Sequence, residues 1–157
     1  MVVPHKMDLD RIISTLQEGA EKILASRPVM LAYLHGSTVR GETLPTSDID
    51  IAILLNPDLS LSTYDRTLIE FDIAADYEAQ FNLSQVDVRA INTAPLTVQG
   101  KVVVQGILIF SRDEDFRVEY EVATRKRYFD FLPVERMMRT AFFDHVRKHG
   151  LTVDKHR

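Results

Sequence analysis

The eight residues Asp48–Leu55, DIDIAILL, constrain this chain more than any other stretch. They read as a β-strand, stopped by Asn56-Pro57-Asp58. In an extended strand, side chains two apart point to one face. Asp48 and Asp50 therefore share a face, and Ile49, Ile51 and Ile53 point to the other. Like charges side by side on a sheet repel unless a cation or a base stands between them. Two carboxylates at this spacing close on one hard divalent ion, and Mg²⁺ is the usual ion beside phosphates. Taken alone, a D-x-D also marks the polar tip of a half-exposed strand.

The loop ahead of the aspartates supplies the opposite charge. The apolar run Val29–Leu34, VMLAYL, reads as a first strand and leads through His35 into Gly36 and Ser37. Gly36 has no Cβ, so a bound group approaches its backbone closely and positive φ is open to it. Ser37 brings a hydroxyl and a backbone N–H. A short helix starting here would direct unpaired N–H groups at phosphate. Arg40 lies one helical turn on and reaches the same anion, and Gly41 lets the chain turn again. Pro45, Thr46 and Ser47 complete the loop. Anion donors followed by paired carboxylates suit a metal–triphosphate. His35 has two readings: contact with substrate or phosphate, or packing under the loop with one ring nitrogen satisfied.

Gly36-Ser37, ten residues, then Asp48-x-Asp50, with Arg40-Gly41 inside the loop and Ser47 just before the first aspartate, resembles a known motif. It is that of the minimal nucleotidyltransferases of the DNA polymerase β-like superfamily. The likeness is to MntA-type antitoxins of HEPN/MNT toxin–antitoxin pairs, and it runs over residues 29–91. It implies an α/β fold: a small, mixed, twisted sheet flanked by helices, with the site at one sheet end and a C-terminal helical extension. It also implies a third aspartate on a strand beside the D-x-D strand. The alternating run Gln85–Ile91, QVDVRAI, offers Asp87 there. The other reading of Asp87 is a surface aspartate paired with Arg89.

Further implications of the resemblance are chemical. Such proteins use ATP and Mg²⁺ to add AMP to a tyrosine of a HEPN-family ribonuclease toxin, which they also bind in a hetero-oligomer. In that reading Asp48, Asp50 and Asp87 are catalytic and hold metal, two ions being expected for an in-line displacement. Asp87 would also take the acceptor's proton. Gly36 and Ser37 would hold the phosphates, Arg40 would offset their charge, and Ser47 would join the nucleotide-binding set. The site keeps all these positions; His35 stands where relatives often carry phenylalanine.

The remainder of the chain reads as support. At 157 residues, with 45% hydrophobic and 27% charged residues, one compact domain is expected. Residues 1–111 form the minimal nucleotidyltransferase core and 112–157 a helical extension packed on the same domain. Cysteine is absent, which suits a reducing cytoplasm and leaves no thiolate metal site. No apolar run approaches a membrane span, and the first ten residues do not read as a signal peptide. A net charge of −4 argues against broad nucleic-acid binding.

Helical spacing marks Asp8–Ala25, with Asp8 as its cap. A second helix is expected over Thr63–Phe81, capped within residues 60–63, with Leu68, Ile69, Ile73, Tyr77 and Phe81 buried. Its acidic residues Glu70, Asp72, Asp76 and Glu78 read as solvated. A short helix beginning near Thr93 gives way to a strand Ile107–Ser111, although Val102-Val103-Val104 favours strand. A helix from Arg112 is expected to break at Pro133. A last one, Val134–Lys148, carries Val134, Met137, Met138, Ala141, Phe142 and His145 along one side, as core or as a partner contact.

Three alternatives share parts of this pattern. A small-molecule adenylyltransferase, such as one acting on an aminoglycoside, keeps the site but needs an added substrate domain. An antitoxin acting by binding alone needs no catalysis. A D-x-D glycosyltransferase explains the carboxylates but not Gly36-Ser37.

Overall fold

The computed structural model describes residues 5–41 and 48–151. Its centre is a four-stranded sheet of β1 (Val29–His35), β2 (Ile49–Leu55), β3 (Val86–Ala90) and β4 (Ile107–Ser111). The strand order is β3-β2-β1-β4. β2 and β3 run parallel and the other pairings are antiparallel, so the sheet is mixed. A parallel pair needs a crossover, and α3 (Thr63–Phe81) makes it. The other helices are α1 (His5–Ile23), α2 (Ser37–Arg40), α4 (Leu96–Gln105) and α5 (Glu114–His149).

The pleat sorts each strand between two apolar layers. Ala32, Leu34, Ile51, Ile53 and Val88 pack beneath α1 and α3, against Leu16, Ile73 and Tyr77. Leu31, Tyr33, Ala52 and Leu54 face the other way, onto Val102 of α4 and Phe116 and Tyr120 of α5. Central strands covered on both sides must be apolar at every position. This is why Ile51, Ala52 and Ile53 are fully buried in succession. The α5 layer is fixed by a polar clamp as well: the Tyr33 hydroxyl donates to Glu121 Oε1 at 2.8 Å, and Arg117 Nη1 donates to Glu121 Oε2 at 3.1 Å. Burial of that phenol, with Glu121 beside it, raises its pKa above the usual tyrosine range. No helix among the described residues is long and apolar enough to cross a membrane.

Several expectations need correction. α1 is already helical at His5, so Asp8 lies inside it rather than at its cap. α3 has the expected bounds, and Ser62 caps it in a reciprocal pair with Asp65. Leu68, however, is 44% exposed. The acidic residues of α3 are not simply solvated. The outward amides of edge strand β3 donate to them: Val86 N to Glu78 Oε1 at 3.0 Å and Ala90 N to Glu70 Oε1 at 2.8 Å. Asp76 accepts from Arg27 Nη2 at 2.5 Å.

Val102–Val104 are helical, in the last turn of α4, which ends at Gln105. Burial of Val102 and Val103 outweighs the few tenths of a kcal/mol, roughly, that separate β-branched from straight side chains in a helix. α5 is continuous through Pro133 instead of breaking there. Proline removes one N–H, which leaves the Phe129 carbonyl without its helical donor. Phe129 and Pro133 are both exposed, so water reaches that side of the helix.

Candidate active site

Strand register assembles the site. β1 and β2 place His35 opposite Asp50, and β2 and β3 place Asp50 opposite Asp87. Residues directly opposite one another project from the same face of a sheet. His35, Asp50 and Asp87 therefore form a row across three strands, on the face that carries Tyr33 and Ala52 deeper in. Asp48 precedes β2 and is exposed. Its carbonyl accepts from the buried Thr38 Oγ1 at 3.3 Å, which ties the loop helix α2 to the start of β2.

Gly36 is the tightest point. Its φ of +82° and ψ of −156° suit glycine, and a Cβ built there would stand 2.4 Å from Asp50 Oδ2. The turn thus lays backbone directly against the Asp50 carboxylate. Ser37 opens α2 and Arg40 ends it, with Gly41 closing the turn at φ +72°. The first N–H groups of a helix have no acceptor within it, and α2 starts at Ser37, directly after the Gly36 turn that lies against Asp50. Ser47, the remaining member of the expected set, lies outside the described residues.

The row is one electrostatic unit. Burial raises the Asp50 pKa, and the charges of Asp87 and Asp48 raise it further, while His35 and Arg40 oppose them. Burial lowers the His35 pKa, helped by Arg40 and opposed by Asp50 and Asp87. His35 is thus neutral at pH 7. Asp87 also accepts from Arg89 Nε at 3.1 Å, the pairing that its surface reading anticipated. That pair is largely exposed, and such pairs are worth less than about 1 kcal/mol.

Carboxylate oxygens are the ligands a hard divalent cation takes, and Gly36 leaves room beside the Asp50 carboxylate. Among the described residues, no group of three or more His, Asp or Glu side chains is placed to hold a metal ion. Mg²⁺ commonly takes only one or two carboxylates and fills its remaining positions with water and substrate phosphate. The arrangement fits that mode and not an all-protein cage.

Two features escaped the sequence. Nothing in the spacing singles out Thr38 as the tie to Asp48. A cleft of about 230 Å³, lined by Thr63, Arg66, Glu70, Arg89 and Thr93 among others, opens outside β3, and Arg89 links it to Asp87.

Residues 18–115 match the family model for polymerase beta nucleotidyltransferases. No curated protein matches the sequence. Among solved structures, the chain is similar to one from a toxin–antitoxin crystal with AMP-PNP, at 26% identity and a TM-score of 0.59, over 83% of this chain and 98% of that one. It is also similar to one from a complex of a tri-AMPylated Shewanella oneidensis HEPN toxin with MNT antitoxin. There the identity is 23% and the TM-score 0.56, over 86% of this chain and 98% of the other.

Proposed function

Since the chain belongs to the polymerase beta nucleotidyltransferase family, we propose that it transfers AMP from ATP to a tyrosine hydroxyl of a HEPN-family toxin, and so serves as the antitoxin. The observation that carries this reading is the register of His35, Asp50 and Asp87 beside the Gly36 turn. In this reading, anion donors at the Gly36 turn and cation ligands on the aspartate row would meet one metal–triphosphate. The nucleotide analogue and the AMP-bearing toxin in the similar structures support the choice of ATP, of AMP and of a HEPN partner.

Each residue has a task in this reading. The backbone at Gly36 and Ser37 donates to the outer phosphates, and Arg40 offsets their charge. Asp48, Asp50 and Asp87 would hold Mg²⁺ together with the substrate phosphates, two ions being the usual number for such displacements. Bound there, the metal supplies charge neutralisation for the triphosphate and acidifies the acceptor hydroxyl. Asp87, its side chain 44% exposed, would take the tyrosine proton as the new P–O bond forms at the α-phosphate and pyrophosphate leaves. Ser47 is assigned to the nucleotide. We place the reaction in the cytoplasm, where ATP is available.

The test is direct. The purified chain, incubated with Mg²⁺, α-labelled ATP and a HEPN protein from the same genome, is expected to label that protein on tyrosine. Asp48→Asn and Asp50→Asn should abolish the label. A HEPN partner that the wild-type chain binds without ever labelling would overturn the transfer reaction in favour of masking.

A further inference from the structure

We infer that the C-terminal half of α5 is the docking arm for the proteinaceous substrate, taking an apolar helical surface edged with carboxylates. This rests on the function proposed above, which supplies the partner, and adds where that partner is held.

One continuous seam runs along α5. Along the first half of α5, Phe116, Tyr120, Thr124 and Tyr128 recur every four residues and face the body of the fold. Tyr128 lies so close to α4 that a Cβ at Gly100 would stand 2.2 Å from its ring. Beyond Tyr128 the same stripe continues at spacings of three and four through Phe131, Glu135, Met138, Phe142 and His145. Nothing among the described residues covers it there. Met138 is 60% exposed and Phe142 56%, and Met137 and Phe143 beside them are as bare. A helix does not place a run of Met and Phe in water without cost, and large exposed apolar strips mark contact sites. Unbranched Met adapts its shape to a partner. At 1.5 Å per residue, residues 132–149 form an arm of about 27 Å.

Charge selects the occupant. This segment holds four basic side chains against two acidic ones. Both acids are already engaged within the helix, Glu135 by Arg139 and Asp144 by Arg147. Arg136 and Lys148 have no carboxylate partner among the described residues. A second copy would bring like charge against like charge. A partner with an acidic rim would not, so charge disfavours two seams face to face and favours a carboxylate-edged partner. The seam is therefore built for a different protein, and the protein acceptor of the transfer is the one this chain must hold.

The test compares three forms of the full chain against the same HEPN protein. Met138→Glu/Phe142→Glu is placed on the seam. Phe71→Ser lies on another exposed apolar position, on α3, and is the control. Binding is measured by calorimetry and AMP transfer by label. The seam variant should bind at least about tenfold more weakly, with KM for the HEPN protein raised in step and KM for ATP unchanged. Its melting temperature should stay at the wild-type value, because both side chains are exposed. Phe71→Ser should bind normally. Undiminished binding by the seam variant, or weakening by Phe71→Ser alone, would overturn the docking and leave the reaction standing. Binding without labelling by the wild type would overturn the reaction and leave the docking standing. A wild-type chain that dimerises through the seam, and ignores the HEPN protein, would overturn both.

Discussion

At the scale of single residues the site turns on two atoms, the Gly36 Cα and Asp50 Oδ2. Gly36→Ala would force a methyl into the 2.4 Å gap at a φ that alanine resists. We expect a stability loss of about 1–3 kcal/mol. AMP transfer should fall by about a hundredfold or more, since displacements near 1 Å carry that penalty. Melting curves and a labelling assay read the two effects. Asp50→Asn should behave oppositely in the metal-free protein. The folded pKa of Asp50 lies above its unfolded value, so its stabilising contribution is complete below about pH 3.8 and is lost as pH rises through the folded value. At pH 7 the ionised group is a liability. Asparagine should therefore raise the melting temperature by about 1–3 °C at pH 7, and the advantage should vanish on acidification below pH 4. The same substitution should abolish transfer. Much of this was legible in advance. Glycine before serine marks a close approach, and the alternation expected to put Asp48 and Asp50 on one strand face begins only at Ile49, with Asp48 ahead of β2. The pairing of His35 with Asp50 was not legible, because register is decided by long-range packing and not by spacing.

At the scale of elements, the strands were readable because buried strands carry their own signature of unbroken β-branched and aliphatic residues. What the local sequence hid was what each helix does for its neighbours. Glu70 and Glu78 look like solvent-facing acids, yet they accept from two outward amides of β3, those of Ala90 and Val86. A bare edge is a template for unwanted pairing, and covering it is one way proteins protect themselves. Glu78→Ala should cost about 0.5–1.5 kcal/mol and speed hydrogen exchange at the Val86 amide. Glu78→Gln, which keeps an acceptor, should lose less than half of that. Arg112 is the other concealed fastener. Its guanidinium donates to the Val29, Leu24, Ala25 and Arg27 carbonyls, pinning the end of α1 and the start of β1 to the beginning of α5. Arg112→Ala should cost about 2–4 kcal/mol, the range for removing charge-assisted hydrogen bonds to partly buried carbonyls. Urea midpoints measure both series.

At the scale of the whole molecule, the unexpected feature is that α5 joins two regimes of stability in one helix. Up to Tyr128 it belongs to the cooperative core, held by the Tyr33–Glu121 bond and by the close approach at Gly100. Past Pro133 it has almost no tertiary contact, since Val134, Met137, Met138, Phe142 and Phe143 are all more than 40% exposed. Sequence patterning could not separate these regimes, because the apolar stripe is the same in both and only the body beneath it ends. Local opening should follow contact density, not helix propensity. Pro133→Ala tests this. Restoring the missing donor and relieving the ring clash favours the helix by about 3 kcal/mol. If the two halves were one cooperative unit, that gain would appear in global unfolding. If the arm opens independently, the global melting temperature should move by less than about 1 °C, while amide exchange over residues 134–149 slows by tenfold or more. A uniform rise in protection from β1 through α5 would instead bind the arm to the core. The independent outcome has a functional corollary: an arm that orders without stabilising the core is free to follow its partner's shape while the carboxylate row beside Gly36 stays fixed.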